Sequence, residues 1–362
     1  MLINKEIKTI FILWICFLFV ACNDDNSQSI PELDHIKIFP VESSVRALEV
    51  QYATDRYDST SKRKIWYAGS NGDFGYSMDN GATWRKGDLK YDTIIPHFRG
   101  IAHTAHYNFL MAVDRPALIY STNSSGDNWS VVYKEDVPGV FYDAIAFWDN
   151  SDGIVIGDPI DNCMSVLISR NTGQSWDKVP CNKLGPAHEG EAAFAASNSN
   201  IAIYKDHAWF VTGGKKARIF HSSNKGVDWE VFETPIIQGG SMTGIFTVDF
   251  WDDKNGIIMG GDWENKENNK GNKAITKDGG KTWELVSDGA GPGYRSCVKY
   301  FPDGNGKQLI AVGIPGISIS EDGGYHWKKI SDESFYTLAF GDSGNEIWLA
   351  GDKKIGKMVW VD

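Results

Sequence analysis

The stretch Ser77-Met-Asp79-Asn-Gly81-Ala-Thr-Trp84 follows the pattern Ser/Thr-x-Asp/Asn-x-Gly-x-x-Trp, and this pattern recurs along the 362-residue chain. Successive copies start roughly 44 to 54 residues apart. Two of the further copies keep the Asp, two carry Asn in its place, and the weakest carries Ser124 there. The five further copies are Thr122–Trp129, Ser169–Trp176, Ser222–Trp229, Thr276–Trp283 and Ser320–Trp327.

Each copy has the chemistry of a tight turn between two strands. The side chain of the Asp, Asn or Ser can accept hydrogen bonds from the backbone of the turn. The Gly two residues later adopts a positive φ at little cost. The Trp then enters the next strand, where it can pack between neighbouring sheets. A repeat of this length is typical of a four-stranded propeller blade, so we assign these residues to architecture rather than to catalysis.

A second pattern, an apolar burst that usually ends in Gly, lies between the turns and predicts the second strand of each repeat. There are seven such bursts against six turns: Ile65–Gly69, Phe109–Val113 (without the Gly), Ile154–Gly157, Trp209–Gly213, Ile257–Gly260, Leu309–Gly313 and Ile347–Gly351. The last repeat ends at Asp362 before a fourth strand, and Ile36–Phe39 can supply that strand. The sequence therefore predicts an all-β, seven-bladed β-propeller over residues 35–362, closed by an N-terminal strand in the last blade. Six or eight blades are the alternatives, and we expect a monomer.

The first 21 residues have the features of a signal peptide. A basic start precedes the apolar run Ile10–Val20, and Phe19-Val20-Ala21-Cys22 is similar to a bacterial lipobox. A transmembrane anchor is the alternative, but the run is short for a span. We expect lipidation at Cys22, a polar tether over residues 22–34, and a lipid-anchored protein of the cell envelope, on the periplasmic or the surface-exposed side of the outer membrane.

Charge and motifs exclude several functional classes. The formal net charge is −11, and an acidic chain without basic runs does not suit nucleic acid, whose binding depends on Lys and Arg contacts to phosphates. The chain contains no CxxC, HExxH, P-loop or GxGxxG motif, so we expect no cofactor and no metal. The segments Asp149–Gly153 and Asp252–Gly256 are similar to calcium loops but lack the distal Glu of an EF-hand, and we interpret them as turns.

Three cysteines remain after Cys16 and Cys22 are assigned to the N-terminal segment. Cys163 and Cys181 lie almost symmetrically about one turn, which leaves a disulfide and two free packed thiols as alternatives. We expect Cys297 to be a small buried side chain.

Strand order predicts where polar side chains converge. If each turn joins the third and fourth strands on one face of the disc, first strands start and second strands end on the opposite face. The residues that we expect to bind a ligand at this mouth of the channel are Arg99, Asp143, Asp158, Glu191, Arg218, Asp262 and Arg295. The candidates for catalysis are Asp143, Glu191, Tyr294 and His188, of which His188 is the best general base because it lies beside two Glu. A concave binding site and a closed ring of ion pairs are both consistent with these charges.

The repeats, together with Phe98-Arg99-Gly100-Ile101, Gly157-Asp158-Pro159 and Gly293-Tyr294-Arg295-Ser296-Cys297, resemble one family over nearly the whole mature chain. This is the photosystem II stability/assembly factor-like branch of the Asp-box (BNR, sialidase-type) β-propellers, in its bacterial lipoprotein form. The resemblance implies a seven-bladed factor that binds a partner protein. Photosynthetic relatives use an Arg-rich face, whereas the mouth predicted here is mixed in charge.

Sialidases are the enzymatic comparison within the same superfamily. Phe98-Arg99-Gly100-Ile101 is similar to their Phe-Arg-Ile-Pro start. The resemblance would make Arg99, Arg295 and Arg218 a carboxylate clamp, with a Tyr nucleophile paired with Glu191 and Asp143 as the acid. We expect a lipid-anchored propeller that binds an envelope protein or glycan on the face opposite the Asp-boxes. A sialidase-like glycoside hydrolase or a polysaccharide lyase is the alternative.

Overall fold

The computed structural model describes residues 29–53, 62–123, 126–341 and 344–361. The predicted signal peptide, the proposed lipid site Cys22, most of the predicted tether and Ser124 lie outside the described residues. Within them the chain is built from strands and one helical turn. No helix in the described ranges is long and apolar enough to cross a membrane.

The strands are numbered in chain order. The first ten are β1 (Leu33–Ala53), β2 (Lys62–Gly69), β3 (Asp73–Ser77), β4 (Arg85–Asp88), β5 (Phe98–His103), β6 (Tyr107–Ala112), β7 (Ala117–Asn123), β8 (Ser130–Glu135), β9 (Tyr142–Phe147) and β10 (Gly153–Ile160). The next elements are β11 (Cys163–Ser169), β12 (Asp177–Lys178), α1 (Cys181–Leu184), β13 (Glu191–Ala192), β14 (Ile201–Tyr204), β15 (His207–Val211), β16 (Gly213–Gly214), β17 (Arg218–Ser222), β18 (Glu230–Glu233) and β19 (Thr243–Phe250). The last are β20 (Gly256–Asp262), β21 (Lys273–Thr276), β22 (Glu284–Leu285), β23 (Cys297–Tyr300), β24 (Leu309–Gly313), β25 (Gly316–Ser320), β26 (Lys328–Ser331), β27 (Thr337–Phe340) and β28 (Ile347–Trp360).

These strands form antiparallel sheets of four or six strands. The four-stranded sheets are β5-β6-β7-β8, β9-β10-β11-β12, β14-β15-β17-β18 and β23-β24-β25-β26. The six-stranded sheets are β27-β28-β1-β2-β3-β4 and β13-β16-β19-β20-β21-β22.

The structure corrects the predicted number of blades. The described residues form six hydrogen-bonded sheets, not seven. The physical reason is β1, which runs without a break from Leu33 to Ala53 and pairs with two different strands. Its first half pairs with β28, from Leu33 opposite Trp360, and its second half pairs with β2, from Val45 opposite Gly69. The strands assigned to a separate last blade therefore belong to the same sheet as the strands of the first repeat.

The sheets are arranged around a common axis. Their inner strands contact one another in the order β1, β5, β9, β14, β19, β23 and β27, and β27 contacts β1 again. The apolar core lies between neighbouring sheets rather than at the axis. One cluster, for example, joins Phe109 and Ile119 of one sheet to Val155 and Leu167 of the next, with Trp176.

The repeat turns share one hydrogen-bond pattern. In the first turn, the backbone N–H of Thr83 donates to Asp79 Oδ1 (2.8 Å), and that of Gly81 donates to Ser77 Oγ (2.8 Å). Gly81 has a φ of 79°. In four other turns the residue at the position of Asp79 also accepts, at Oδ1, the backbone N–H of the residue four positions later. These acceptors are Asn171, Asn224, Asp278 and Asp322. Gly173 also touches the preceding sheet, since a Cβ there would lie 2.4 Å from the ring of Phe109.

The structure decides between the disulfide and the two free thiols that the sequence left as alternatives. Cys163 at the start of β11 and Cys181 at the start of α1 form a disulfide, with their Cα atoms 5.6 Å apart. Cys297 is a free thiol with no exposed surface, and its burial raises its pKa.

Candidate ligand-binding site

Four inner strands carry a β-bulge or an equivalent register shift, β5, β9 and β19 near their start and β1 where it begins to pair with β2. In β1, Val45 pairs with Gly69 and Ala47 with Ala68, so Arg46 is left without a partner residue. The same irregularity leaves Arg99 unpaired in β5, Asp143 in β9 and Phe246 in β19. A bulge changes the direction of a side chain, and these devices are common beside functional sites.

The four bulged residues line one cavity of about 430 Å³, which we call the channel-mouth cavity. Its other walls come from Asp158 in β10, the segment 192–196, and loop residues that include Ser241 and Trp263. The bulges lie at the starts of β5, β9 and β19 and at the point where β1 begins to pair with β2. Strand order therefore places the cavity on the face of the disc opposite the repeat turns, where the sequence predicts a site.

The two arginines of the channel-mouth cavity bind backbone oxygens. Arg99 donates from Nη1 to the carbonyl of Ala195 (3.0 Å), and Arg46 donates from Nη1 to the carbonyl of Ala196 (3.1 Å). The Arg46 guanidinium also lies 4.1 Å from the ring centre of Tyr336. Burial, and then the charge of Arg46, lowers the pKa of Arg99.

The two carboxylates of the cavity form no salt bridge with the described residues. Asp143 is completely buried, and neither of its oxygens makes a hydrogen bond of good geometry among the described residues. Burial, and then the neighbouring Asp158, holds the pKa of Asp143 well above its usual value, against opposing effects of Arg99 and the Ala195 backbone. Asp158 accepts one hydrogen bond from the Ala193 N–H (2.9 Å), and burial raises its pKa to about 6.

The four charges therefore form an open set. Within the described part of the chain, no salt bridge joins Arg46 or Arg99 to Asp143 or Asp158. Buried charges are normally paired, because removing them from water is costly. The closed ring of ion pairs that the sequence left open as an alternative is not formed by these residues.

Glu191 and Arg218, in contrast, form a closed pair outside this cavity. Arg218 donates from Nε to Glu191 Oε1 (2.9 Å) and from Nη2 to Oε2 (2.7 Å). Glu191 also accepts from the Thr212 hydroxyl (2.7 Å) and from the backbone N–H of His188 (2.9 Å). With four hydrogen bonds and 4% exposure, Glu191 is a structural anion. The imidazole of His188 lies on an exposed segment.

Arg295 lies in a different place from Arg99. It donates from Nη1 to the Tyr294 carbonyl (2.8 Å) and from Nη2 to Ser318 Oγ (3.0 Å), and it lines a separate cavity of about 180 Å³ that also contains Glu267. Burial lowers its pKa to about 10.

Arg295 lies outside the channel-mouth cavity because of the register of its strand. Cys297 pairs with Val312, and the Cα of Arg295 faces Gly313, whereas Tyr142 is the residue that pairs with Gly157. Arg295 thus occupies the position of Tyr142, one residue before that of Asp143. A shift of one residue along a strand turns the side chain to the other face.

Two further predicted residues have separate roles. Tyr294 lines the channel-mouth cavity. Its ring packs edge-on against Phe246, with ring centres 4.8 Å apart, and burial raises its pKa. Asp262 accepts the backbone N–H groups of Glu264 and Asn265 (2.9 and 3.1 Å), which fixes the loop after β20. The structure therefore brings together Arg99, Asp143, Asp158 and Tyr294, and separates them from Glu191, Arg218, Arg295, Asp262 and His188.

Arg46 and Trp263 are cavity residues that the sequence analysis missed. Arg46 could have been predicted from the sequence. Val45-Arg46-Ala47 precedes the first apolar burst, just as Phe98-Arg99-Gly100 precedes the second. Trp263 follows Asp262 in a long connection, and no local pattern marks its direction.

The described residues contain no cluster of side chains suited to bind a metal ion. Among the described residues there is no group of three or more His, Cys, Asp or Glu side chains placed to hold a metal ion. The two calcium-like segments are turns closed by their own backbone. Asp149 Oδ1 accepts the N–H groups of Ser151 and Asp152, and Asp252 Oδ1 accepts that of Lys254.

No protein-family model and no curated protein matches this chain. Solved structures do match it. YCF48 bound to a D1 peptide has a TM-score of 0.63 at 16% identity, covering 92% of this chain and 100% of that chain. YCF48 from Cyanidioschyzon merolae has a TM-score of 0.60 at 13% identity, covering 89% and 98%. U3-55K has a TM-score of 0.61 at 12% identity, covering 91% and 99%.

These likenesses show the fold alone, because the identities are low and U3-55K matches about as well as YCF48. The chain has the β-propeller fold that YCF48 has, which supports the predicted resemblance to photosystem II assembly factor-like propellers at the level of fold.

Proposed function

We propose that this protein is a lipid-anchored propeller of the cell envelope that binds an exposed segment of a partner protein in the channel-mouth cavity. The observation that carries the proposal is the open set of charges. Arg46, Arg99, Asp143 and Asp158 line one cavity, and no ion pair joins them. A ligand with complementary charges would supply the missing partners.

A peptide segment fits this chemistry better than a neutral glycan. A peptide offers backbone carbonyls and acidic groups to arginine donors, and donors or cations to carboxylates. A neutral sugar would fill the same space without giving any of the four charges an ion-pair partner. YCF48 has the same fold and has been solved with a D1 peptide bound, so a propeller of this type accommodates a peptide.

The geometry favours binding over glycoside hydrolysis. A sialidase-like site needs a carboxylate clamp of three Arg and a Tyr paired with a Glu. Here Glu191 is closed by Arg218, and Arg295 faces a separate cavity. Of the candidate parts, only Arg99, Asp143 and Tyr294 share the channel-mouth cavity.

The anchor is proposed from the N-terminal sequence, where an apolar run precedes Cys22 and an Asn/Asp-rich stretch follows it. Acyl chains on Cys22 would hold the propeller at a membrane surface. We expect Cys22→Ala to leave an unprocessed precursor, detected as slower migration in gels. Loss of metabolic labelling with a radioactive fatty acid would accompany it. Normal processing and labelling of this variant would contradict the lipid assignment.

The cavity is tested with a library of random peptides displayed on phage and selected on the purified propeller. Ser241→Trp places an indole at the exposed rim of the cavity, whereas Gln174→Trp places one on a repeat turn of the opposite face. We expect enriched peptides to lose binding to Ser241→Trp and to the double variant Arg46→Gln/Arg99→Gln, and to keep binding to Gln174→Trp. Equal binding to all variants would remove the proposed site.

A further inference from the structure

The proposed function leaves open which chemical group of the partner enters the cavity. Resting on that function, we propose that the bound segment inserts a basic side chain, Lys or Arg, against Asp158 and Asp143. The inference concerns specificity, and it follows from the groups that these two carboxylates face.

Asp143 is the clearest unsatisfied group in the cavity. Its side chain has no exposed surface, and neither oxygen makes a hydrogen bond of good geometry among the described residues, although the Ala195 backbone and the charge of Arg99 act on it. Most buried polar atoms in native proteins are well bonded, so a buried carboxylate that is satisfied this poorly indicates an absent donor. A cation at the adjacent Asp158 would stabilise both carboxylates through space.

Asp158 is the accessible member of the pair. It is half-buried, and the Ala193 N–H occupies Oδ1. The charged or titratable groups that share its cavity are Asp143, Arg99, Arg46 and Tyr294. The two arginines are drawn to the carbonyls of the 192–196 segment instead, so neither neutralises Asp158.

Aromatic walls suit the stem of a long basic side chain. Phe194 stacks on Phe246 with ring centres 4.1 Å apart, and Trp263 is 38% exposed at the rim. The Lys266 ammonium lies 4.3 Å from the centre of the Trp263 ring, so one face of this ring already carries a cation, and the Phe194 side of the cavity is the wall left for the ligand. Lys and Arg bury their methylene groups on such surfaces while the charged end reaches a carboxylate.

If a ligand cation binds beside Asp158, binding should release a proton, and this release can be measured. Burial raises the pKa of Asp158 to about 6, because no cation compensates it. A ligand cation beside Asp158 would lower that pKa and expel a proton near pH 6. A ligand that only fills the cavity or contacts the arginines would not.

The experiment uses the peptides enriched on the wild-type propeller from the random phage library. We expect them to share a Lys or Arg. Its replacement by norleucine should weaken binding at least about tenfold, as for loss of one partner in a desolvated charge pair. Calorimetric titration at pH 6 in two buffers of different ionisation enthalpy should show proton release with wild type and a clearly smaller release with Asp158→Asn, where only Asp143 can titrate.

The outcomes separate this inference from the function on which it rests. Peptides that lose binding to Ser241→Trp but share no basic residue, or that release no proton, would overturn the basic side chain and leave the cavity intact. Peptides that bind Ser241→Trp as well as wild type would overturn both. A shared basic residue whose effect persists in Asp158→Asn would also contradict the inference.

Discussion

At the scale of the residue, two buried carboxylates of the same channel face differ in how they are compensated. Glu191 has a bidentate arginine and two further donors, whereas Asp143 has no hydrogen bond of good geometry from the described residues. Pairing decides whether a buried charge supports the fold or remains available to a ligand. The first carboxylate therefore belongs to the scaffold and the second to the site.

The raised pKa of Asp158 predicts a pH dependence of stability. Its folded value of about 6 lies above the unfolded value near 3.8, so the folded state holds the proton more tightly. The associated stability is present at low pH and is lost as pH rises from about 4 through 6. Asp158→Asn should remove this loss and leave the variant more stable than wild type at pH 7, by up to about 3 kcal/mol. Urea unfolding at pH 4.5 and 7.5 measures the free energy of unfolding of both proteins. If the difference between wild type and Asp158→Asn were the same at the two pH values, the assignment would be contradicted.

At the scale of the element, the repeat turn is the unit that the sequence predicts best. Its chemistry is local, because the acceptor side chain, the Gly and the Trp lie within eight residues of one another. The bulges of the inner strands are not local, since each depends on the register between two strands. This is why the turns could be predicted, while Arg295 was placed one residue away from its true position and Arg46 was not recognised.

Two glycines with nearly the same φ test the packing of these turns. Gly173 and Gly289 have φ values of 73° and 74°, but a Cβ at Gly173 would lie 2.4 Å from the Phe109 ring, whereas nothing lies within 4 Å at Gly289. Gly289→Ala should cost about 1–2 kcal/mol from the backbone alone. Gly173→Ala should cost about 1–3 kcal/mol more from overpacking. Equal losses in urea unfolding would mean that the turn does not press on the neighbouring sheet.

At the scale of the whole molecule, one strand decides how the ring closes. An all-β propeller could be predicted from repeat length and turn chemistry. The number of sheets could not, because it depends on whether β1 breaks between its two partners. No residue between Pro40 and Val45 signals that the strand runs on, and the sheets at the two ends of the chain merge as a result.

Chains that start at different residues test this closure. A chain that starts at residue 42 lacks the run Leu33–Pro40 that pairs with β28, including Phe39, which stacks on Trp348 with ring centres 5.7 Å apart, and the buried Val41. Each buried apolar side chain contributes about 1.5–3 kcal/mol. This chain should melt far below wild type, whereas a chain that starts at residue 32 should melt close to it. Similar melting temperatures for the two would show that the ring closes without the N-terminal strand.

The central claim is that the charges of the channel-mouth cavity are open to a ligand, whereas Glu191 and Arg218 form scaffold. The most direct measurement is the free energy of unfolding in urea at pH 7 for Asp143→Asn and Glu191→Gln, two changes that remove a buried negative charge and keep its shape. Glu191→Gln should lose about 3–5 kcal/mol, because Arg218 is left buried without its partner. Asp143→Asn should lose no more than about 1 kcal/mol, or gain stability, because this side chain has no well-formed hydrogen bond or ion pair to lose in either protonation state. A loss of several kcal/mol for Asp143→Asn would show that Asp143 is paired in the folded protein and that the cavity is part of the scaffold.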